Sequence, residues 1–291
     1  SFTEVSEAAG VSKSGFPNAV SASDFNNDGW TDLYIANDFA APDFFFINNQ
    51  DGTFTYKTEE AFQHIPYYSM GVDVADFNND NLLDLFVVDM VAQDNYRLKS
   101  NMSGMNPKAF WKVVDDGGHY QYMYNTLQMN NGSGTFSDIG QYTGMAATDW
   151  SWANLIADFD NDGLKDTYVT NGLLRDIRNT DADKEVAHYI NQLTFKWVQE
   201  HPDGGGIESI FDILKIDDVV KLIPSQPLKN FAFKNQGNLK FTEAQQDWGL
   251  YQPSFSNGAA YADLDNDGDL DIVVNNINAE AFVYRNNSEK N

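Results

Sequence analysis

The chain has 291 residues, 43 acidic and 18 basic, for a formal charge of −25 at pH 7. That surplus argues against a nucleic-acid partner, which needs clustered Lys and Arg to neutralise phosphates, and against docking on anionic membranes. Its 42% hydrophobic and 14% aromatic content is too rich for a disordered acidic tail, its apolar runs are strand-sized rather than membrane-spanning, and having no cysteine it forms neither disulfides nor thiolate metal sites.

In chain order, SFTEVSEAAGV (1–11) reads as a strand resembling the later FTEAQQDWGL (241–250). The strand candidate AVSASDF (19–25) runs into the nonapeptide DFNNDGWTD (24–32), then the β-branched and aromatic run DLYIAND (32–38) and the hairpin FFFINNQDGTFTYKTEEA (44–61) with its Asp-Gly turn. The same order returns as GVDVADF (71–77), DFNNDNLLD (76–84), DLFVVDM (84–90) and LQMNNGSGTFSDIGQYTGM (127–145). It returns again as NLIADF (154–159), DFDNDGLKD (158–166), DTYVTNG (166–172) and FAFKNQGNLKFTEAQQDWGL (231–250). The last copy is AAYADL (259–264), DLDNDGDLD (263–271), DIVVNNI (271–277) and FVYRNN (282–287). Each unit predicts strand, acidic loop, strand, strand, turn, strand, and such a four-stranded antiparallel meander at about 50-residue spacing is a propeller blade. The predicted fold is an all-β propeller spanning 1–291 as a single domain or a propeller fragment. The last unit stops after its third strand, so two closures stay open: residues 1–11 complete a ring of four, or the chain is a piece of a larger propeller.

The first Asp residues of successive loops lie 52, 82 and 105 residues apart, so two insertions are expected, at about 90–125 and 173–226. The first carries Asn106-Pro107, a helix-opening pair, ahead of AFWKVVDDGG. The second carries a helical period at Val186, Ile190, Leu193 and Trp197, stopped by His201-Pro202, and another at Ile207, Ile210, Phe211 and Leu214 ahead of Pro224.

The nonapeptides share the template D-x-[DN]-x-D-[GN]-x-x-D. Asp, Asn and Gly suit turns on their own account, but four copies with Asp always at positions 1, 5 and 9 exceed what turn chemistry asks for. Side chains at positions 1, 3 and 5 of a tight loop converge on one centre, where carboxylates repel strongly unless a cation sits among them. An EF-hand is excluded, because its twelfth-position Glu is replaced by Ile35, Val87, Val169 and Val274 and a strand rather than a helix follows. The expected ligands are Asp24, Asn26, Asp28, Trp30 and Asp32 in the first loop and Asp76, Asn78, Asp80, Leu82 and Asp84 in the second. In the third they are Asp158, Asp160, Asp162, Leu164 and Asp166, and in the fourth Asp263, Asp265, Asp267, Asp269 and Asp271. Position 7 offers its backbone carbonyl and position 9 closes the shell. An all-oxygen, carboxylate-rich set favours Ca²⁺ over Mg²⁺, so about four calcium ions are expected. The second loop departs most from the template, with Asn81 at the glycine position.

ADFNND, ADFDNDG and ADLDNDGDLD, each followed by a strand, resemble the FG-GAP/VCBS repeats of integrin α-subunit propellers and of bacterial surface proteins. NNQDGTFT and NNGSGTFSD are similar to hairpins of bacterial proteins related to cartilage acidic protein, which pair such repeats with an ASPIC/UnbV domain. The resemblance implies structural calcium at the loop positions named above, an extracellular or cell-surface setting, and a non-catalytic role.

No catalytic constellation stands out: His64, His119, His188 and His201 lie in unlike contexts, and no nucleophile-elbow, zincin or phosphate-loop pattern is present. Trp111, Tyr120, Tyr122 and Tyr124, together with Asp149-Trp150-Ser151-Trp152, are the binding candidates, since aromatics beside polar groups stack on sugars or anchor protein interfaces. Asn101-Met102-Ser103, Asn131-Gly132-Ser133 and Asn286-Asn287-Ser288 match glycosylation sequons, a match that Asn-rich turns also generate. Two functions follow: a calcium-stabilised surface scaffold for a protein partner or adhesion, and a carbohydrate-binding module of a polysaccharide uptake or degradation system.

Overall fold

The computed structural model describes residues 1–39, 41–101, 104–202 and 209–288. Ile207 and the last two residues of the Asn101-Met102-Ser103 sequon lie outside the described residues. The chain divides into two compact units, one of Ser1–Gln93, Met105–Gly172 and Leu228–Asn291, the other of Asp94–Gly104 and Leu173–Pro227.

The first unit is β-propeller-like. Its opening blade is the antiparallel meander Pro17–Ser23, Asp32–Asn37, Phe44–Asn48 and Phe54–Tyr56, hydrogen-bonded in sequence order. The second blade repeats it with Gly71–Ala75, Asp84–Val88, Thr126–Asn130 and Phe136–Asp138. The third uses Asp149–Ala157, Asp166–Asn171, Phe231–Asn235 and Phe241–Glu243, with Met90–Val91 added beside its first strand. The fourth has Ser256–Ala262, Asp271–Asn276 and Phe282–Tyr284, three strands among the described residues. Registers correspond from blade to blade: Asn48 faces Phe54, Asn130 faces Phe136, and Asn235 faces Phe241.

First strands of successive blades lie side by side. At Gly71 the approach is so close that a β-carbon would sit 2.1 Å from the Trp152 carbonyl oxygen. The core lies between blades. Phe25, Tyr34, Phe45 and Phe62 of the first blade enclose Phe136 of the second, whose ring stacks on Phe62 at 4.8 Å. Ala157, Phe159, Tyr168 and Leu250 of the third blade pack on Ile272 and Val274 of the fourth. Strands alternate in this way because side chains of period 2 present one face to each neighbouring blade.

The N-terminal segment departs from the sequence expectation. Residues 1–5 form no strand, and 6–10 make a turn closed by Ala9 N–H to Val5 O and Val11 N–H to Ser6 O. An isolated strand satisfies none of its backbone groups, and among the described residues 1–5 pair with no strand.

The first insertion contributes the helix Pro107–Asp115, whose Asn106 side chain accepts the Lys108 and Ala109 N–H groups. In the second unit, helix Thr180–Glu200 is capped by Asn179 and half-buries Val186, Ile190, Leu193 and Trp197, the expected face. The period after Ile207 does not give one helix. It breaks into a 3₁₀ turn, Ile210–Asp212, with a Ser209/Asp212 capping box, and a helix Ile216–Leu222 opened by extended Lys215. The capping box opens the first piece, and the break comes at its other end, where Ile213 caps the turn and Lys215 is extended. A helix Asn95–Ser100 also forms, and its buried Arg97 pairs with Asp176 at 3.2 Å.

Candidate metal loops

Each acidic loop joins the first two strands of a blade, and all four are wired alike. The position 1 carboxylate (Asp24, Asp76, Asp158, Asp263) accepts the N–H groups of positions 5 and 6 at 2.7–3.2 Å. The position 5 Oδ1 (Asp28, Asp80, Asp162, Asp267) accepts the N–H of position 7, that is Trp30, Leu82, Leu164 and Asp269. These bonds coil the backbone around the side chains, so positions 1, 3 and 5 share one centre. In the third and fourth loops their carboxylate oxygens lie within 4.8 Å of one another. In the first two loops position 3 is an amide, and Asn26 and Asn78 donate to the position 5 carboxylates at 3.0 and 2.9 Å.

Position 9 plays a different part. Asp32, Asp84, Asp166 and Asp271 are buried beneath the loops. One oxygen of each accepts the N–H of position 2 (Phe25, Phe77, Phe159, Leu264), and the other accepts that of the Asn ending or following the third strand (Asn48, Asn130, Asn235, Asn286). Burial pushes Asp84 and Asp166 up to about 7 against these two hydrogen bonds, and raises Asp32 in the same sense. Each oxygen still has a second lone pair to offer a cation.

Two sets of residues that sequence reasoning passed over complete the loops. Position 4 is Asn in every copy and adopts the left-handed conformation (Asn27, Asn79, Asn161, Asn266; φ 58–62°). Three of these reach to the next loop: Asn27 Nδ2 to the Asn81 carbonyl, Asn79 Nδ2 to the Gly163 carbonyl, and Asn161 Nδ2 to the Asp269 carboxylate. Position 6 is also left-handed, including Asn81 at φ 67°, so the second loop keeps its turn without glycine. The invariance of the position 4 Asn across four repeats was the available signal.

The second set is cationic. Lys234 Nζ contacts Asp160 and Asp162, and Arg285 reaches Asp265 at 2.9 Å and Asp267 at 3.1 Å. Ile47 and Met129 hold the corresponding third-strand places. Asp160 Oδ1 is buried without a hydrogen-bond partner in the structure. Converging carboxylates that draw in a cationic side chain, with one oxygen left orphaned, fit a hard divalent cation with oxygen preference.

Elsewhere the expected aromatics partly assemble. Phe110 stacks on Tyr122 at 5.4 Å and Tyr122 on Tyr124 at 6.1 Å, with exposed Trp111 against Phe110. Trp150 and Trp152 lie in the third blade's first strand, Trp152 donating to the Gly172 carbonyl, which is a packing role. His64 meets Asp138 at 3.0 Å and Tyr124 at 2.9 Å, while His188 and His201 belong to the Thr180–Glu200 helix and its C-cap.

The family description FG-GAP-like repeat matches residues 24–87 and 215–274, stretches that contain the first, second and fourth loops. No match to a curated protein was found. Among solved structures the chain is similar, at 15% identity and TM-score 0.37, to an Agrocybe aegerita lectin described as recognising non-reducing terminal N-acetylglucosamine. That alignment covers 92% of this chain and 52% of the lectin chain, so the chain spans about half the lectin's length. No helix among the described residues is long and apolar enough to cross a membrane.

Proposed function

From the premise that this chain carries FG-GAP-like repeats, a β-propeller-type binding scaffold that is non-catalytic and typically extracellular, we propose a calcium-stabilised cell-surface scaffold for a protein partner. Each loop holds one Ca²⁺ through positions 1, 3 and 5, the carbonyl of position 7 and the free lone pairs of position 9. The observation that carries the reading is the fourfold identity of the loop hydrogen bonds, which aims oxygens inward in every repeat. Calcium supplies positive charge where the fold gathers carboxylates. Extracellular modules bind it with Kd of about 10⁻⁴–10⁻³ M. At about 1 mM calcium, a Kd of about 0.1 mM gives roughly 1.4 kcal/mol per site by linkage. Four such sites contribute on the order of 5–6 kcal/mol, comparable with the net stability of many domains. At submicromolar calcium the same sites stand nearly empty, which supports the extracytoplasmic setting. Calorimetric titration of metal-stripped protein tests this: about four calcium equivalents are expected, and no heat above the buffer blank refutes it.

A second reading, carbohydrate binding, is favoured by one observation: half-exposed Tyr122 and Tyr124 beside exposed Trp111 and Tyr120 form an aromatic surface of the kind that stacks on sugar rings. Saturable binding on a glycan array that disappears in Trp111→Ala selects it, and a stoichiometric protein partner selects the first.

A further inference from the structure

The four loops close on themselves in two different ways. In the first and second, the amide at position 3 bridges to position 5: Asn26 Nδ2 donates to Asp28 Oδ2 at 3.0 Å, and Asn78 Nδ2 to Asp80 Oδ2 at 2.9 Å. In the third, position 3 is Asp160, and a carboxylate has no N–H to give. The bridge comes from outside the loop. Lys234 Nζ contacts Asp160 Oδ2 and lies 3.2 Å from Asp162 Oδ2. The fourth loop repeats the arrangement, with Arg285 on the Oδ2 atoms of Asp265 and Asp267. Lys234 faces Thr242 across its hairpin as Ile47 faces Thr55 and Met129 faces Ser137. One register position thus carries a cation only where position 3 of the loop is a carboxylate.

The two kinds of bridge respond differently to a metal ion. The amide nitrogen is part of the same side chain whose oxygen is the expected ligand, so it stays in place when that oxygen is used. The ammonium is a separate charge resting on two expected ligands. A divalent cation drawn to Asp160 and Asp162 comes within a few ångströms of Nζ, where like charges repel appreciably even in water. The lysine has somewhere to go, because its side chain is 30% exposed and its strand partner Thr242 is exposed. Asp160 Oδ1, buried without a hydrogen-bond partner, is a further oxygen on the carboxylate that the lysine holds.

Resting on the calcium reading above, we propose that Lys234 is a displaceable counter-ion of the third loop, whose ammonium leaves Asp160 and Asp162 when calcium binds. The third loop therefore takes up its metal by cation exchange, whereas the first and second take theirs up by addition. Until it is exchanged, the lysine offsets the repulsion between Asp160 and Asp162. One residue then has two opposite effects: it supports the loop in the absence of calcium and weakens the loop's affinity for calcium.

The unaltered full chain supplies the direct test. Its lysines are partially acylated in EDTA and in millimolar calcium, and labelling is read residue by residue by peptide mass spectrometry. Lys234 labels severalfold faster in calcium, measured against exposed Lys196 of helix Thr180–Glu200. Lys234→Met, which installs the residue found at this place in the second blade, extends the test to energetics. Its urea midpoint in EDTA falls, and adding Asp160→Asn, which restores the amide bridge of the second loop, brings the midpoint back. Calorimetric titration of Lys234→Met shows one site tightened on the order of tenfold. Calcium uptake with unchanged or slower Lys234 labelling overturns the exchange and leaves calcium binding standing, as does parental or weaker affinity in Lys234→Met. A midpoint that Asp160→Asn fails to recover also overturns it, because the lysine then acts through the packing of its stem. A chain that takes up no calcium at all overturns the calcium reading and the exchange together.

Discussion

Truncating a ninth-position carboxylate separates its bracing role from any metal role. Asp84 is fully buried, and its two oxygens accept the Phe77 and Asn130 N–H groups, each at 2.9 Å. Phe77 and Asn130 are themselves buried, so Asp84→Ala strands two donors away from water. Each buried donor left without a partner costs about 1–3 kcal/mol, which sets the loss at about 2–6 kcal/mol before any calcium is considered. The pH dependence has a defined sign. Burial raises the Asp84 pKa from 3.8 to about 7 in the metal-free fold. A group raised on folding contributes fully below its unfolded pKa and loses that contribution as pH rises through its folded pKa. In chelator, the deficit of Asp84→Ala is therefore larger at pH 5 than at pH 8. Asp80→Asn is the control. The fifth-position side chain is exposed and the amide keeps an oxygen for the Leu82 N–H, so the variant is near parental in chelator and loses only the calcium increment. Urea melts followed by tryptophan fluorescence, in excess EDTA and in millimolar calcium, read both variants. If Asp84→Ala matched the parent in EDTA and fell behind only with calcium, the bracing argument would fail.

Chelation of the parent protein should lower its melting temperature, and an unchanged scanning-calorimetry trace in excess EDTA would count against calcium as a structural element. Asn81→Gly places the residue suited to φ 67° in the second loop and should stabilise by about 0.5 kcal/mol in denaturant melts, with destabilisation as the contrary result. Gly71→Ala forces a β-carbon against the Trp152 carbonyl of the next blade; a loss of about 3 kcal/mol is expected, and parental stability would show that the blades separate easily. Asp89 is buried with its pKa pushed up to about 7, at a place where the other blades have Asn37, Asn171 and Asn276. By the same sign rule its contribution fades as pH rises from about 4 to 7. Asp89→Asn should therefore gain on the parent between pH 5 and pH 8, by about 3 kcal/mol, and a pH-independent difference between the two would refute this.

The blade was legible because two periodicities agree. Alternating strands such as Asp32–Asn37 and Asp271–Asn276 each follow a nonapeptide of one template, so strand order could be read without knowing any contact. The long helix was legible from its apolar period and its stop at His201-Pro202. Less visible were features set by partners distant in sequence. Nothing near Asp84 announces that Asn130, 46 residues away, will take one of its oxygens, and the bracing role of position 9 looks in the sequence like a fifth ligand. Residues 1–5 carry strand chemistry, but strand formation belongs to a pair, and their sequence says nothing about whether an edge is within reach. The apolar period around Ile210 and Phe211 split into two pieces because the backbone turns extended at Lys215, a change the side-chain spacing does not record.

The charges of the four loops are levelled by residues outside them. At positions 1, 3, 5 and 9, the first and second loops carry three carboxylates each, because Asn26 and Asn78 occupy position 3. The third and fourth carry four, with Asp160 and Asp265 there, and these are the loops whose third strand supplies Lys234 or Arg285 in place of Ile47 or Met129. A carboxylate added and a cation added one strand away leave these four positions of every loop near three net negative charges, and the fourth loop has one more carboxylate, Asp269 at position 7. The position 4 Asn bridges then matter mechanically. Because Asn27 holds the second loop, Asn79 the third and Asn161 the fourth, an ion that stiffens one loop also fixes the anchor of its neighbour. If the loops bind calcium as proposed, affinity and blade-to-blade order are coupled through these loop-to-loop bridges.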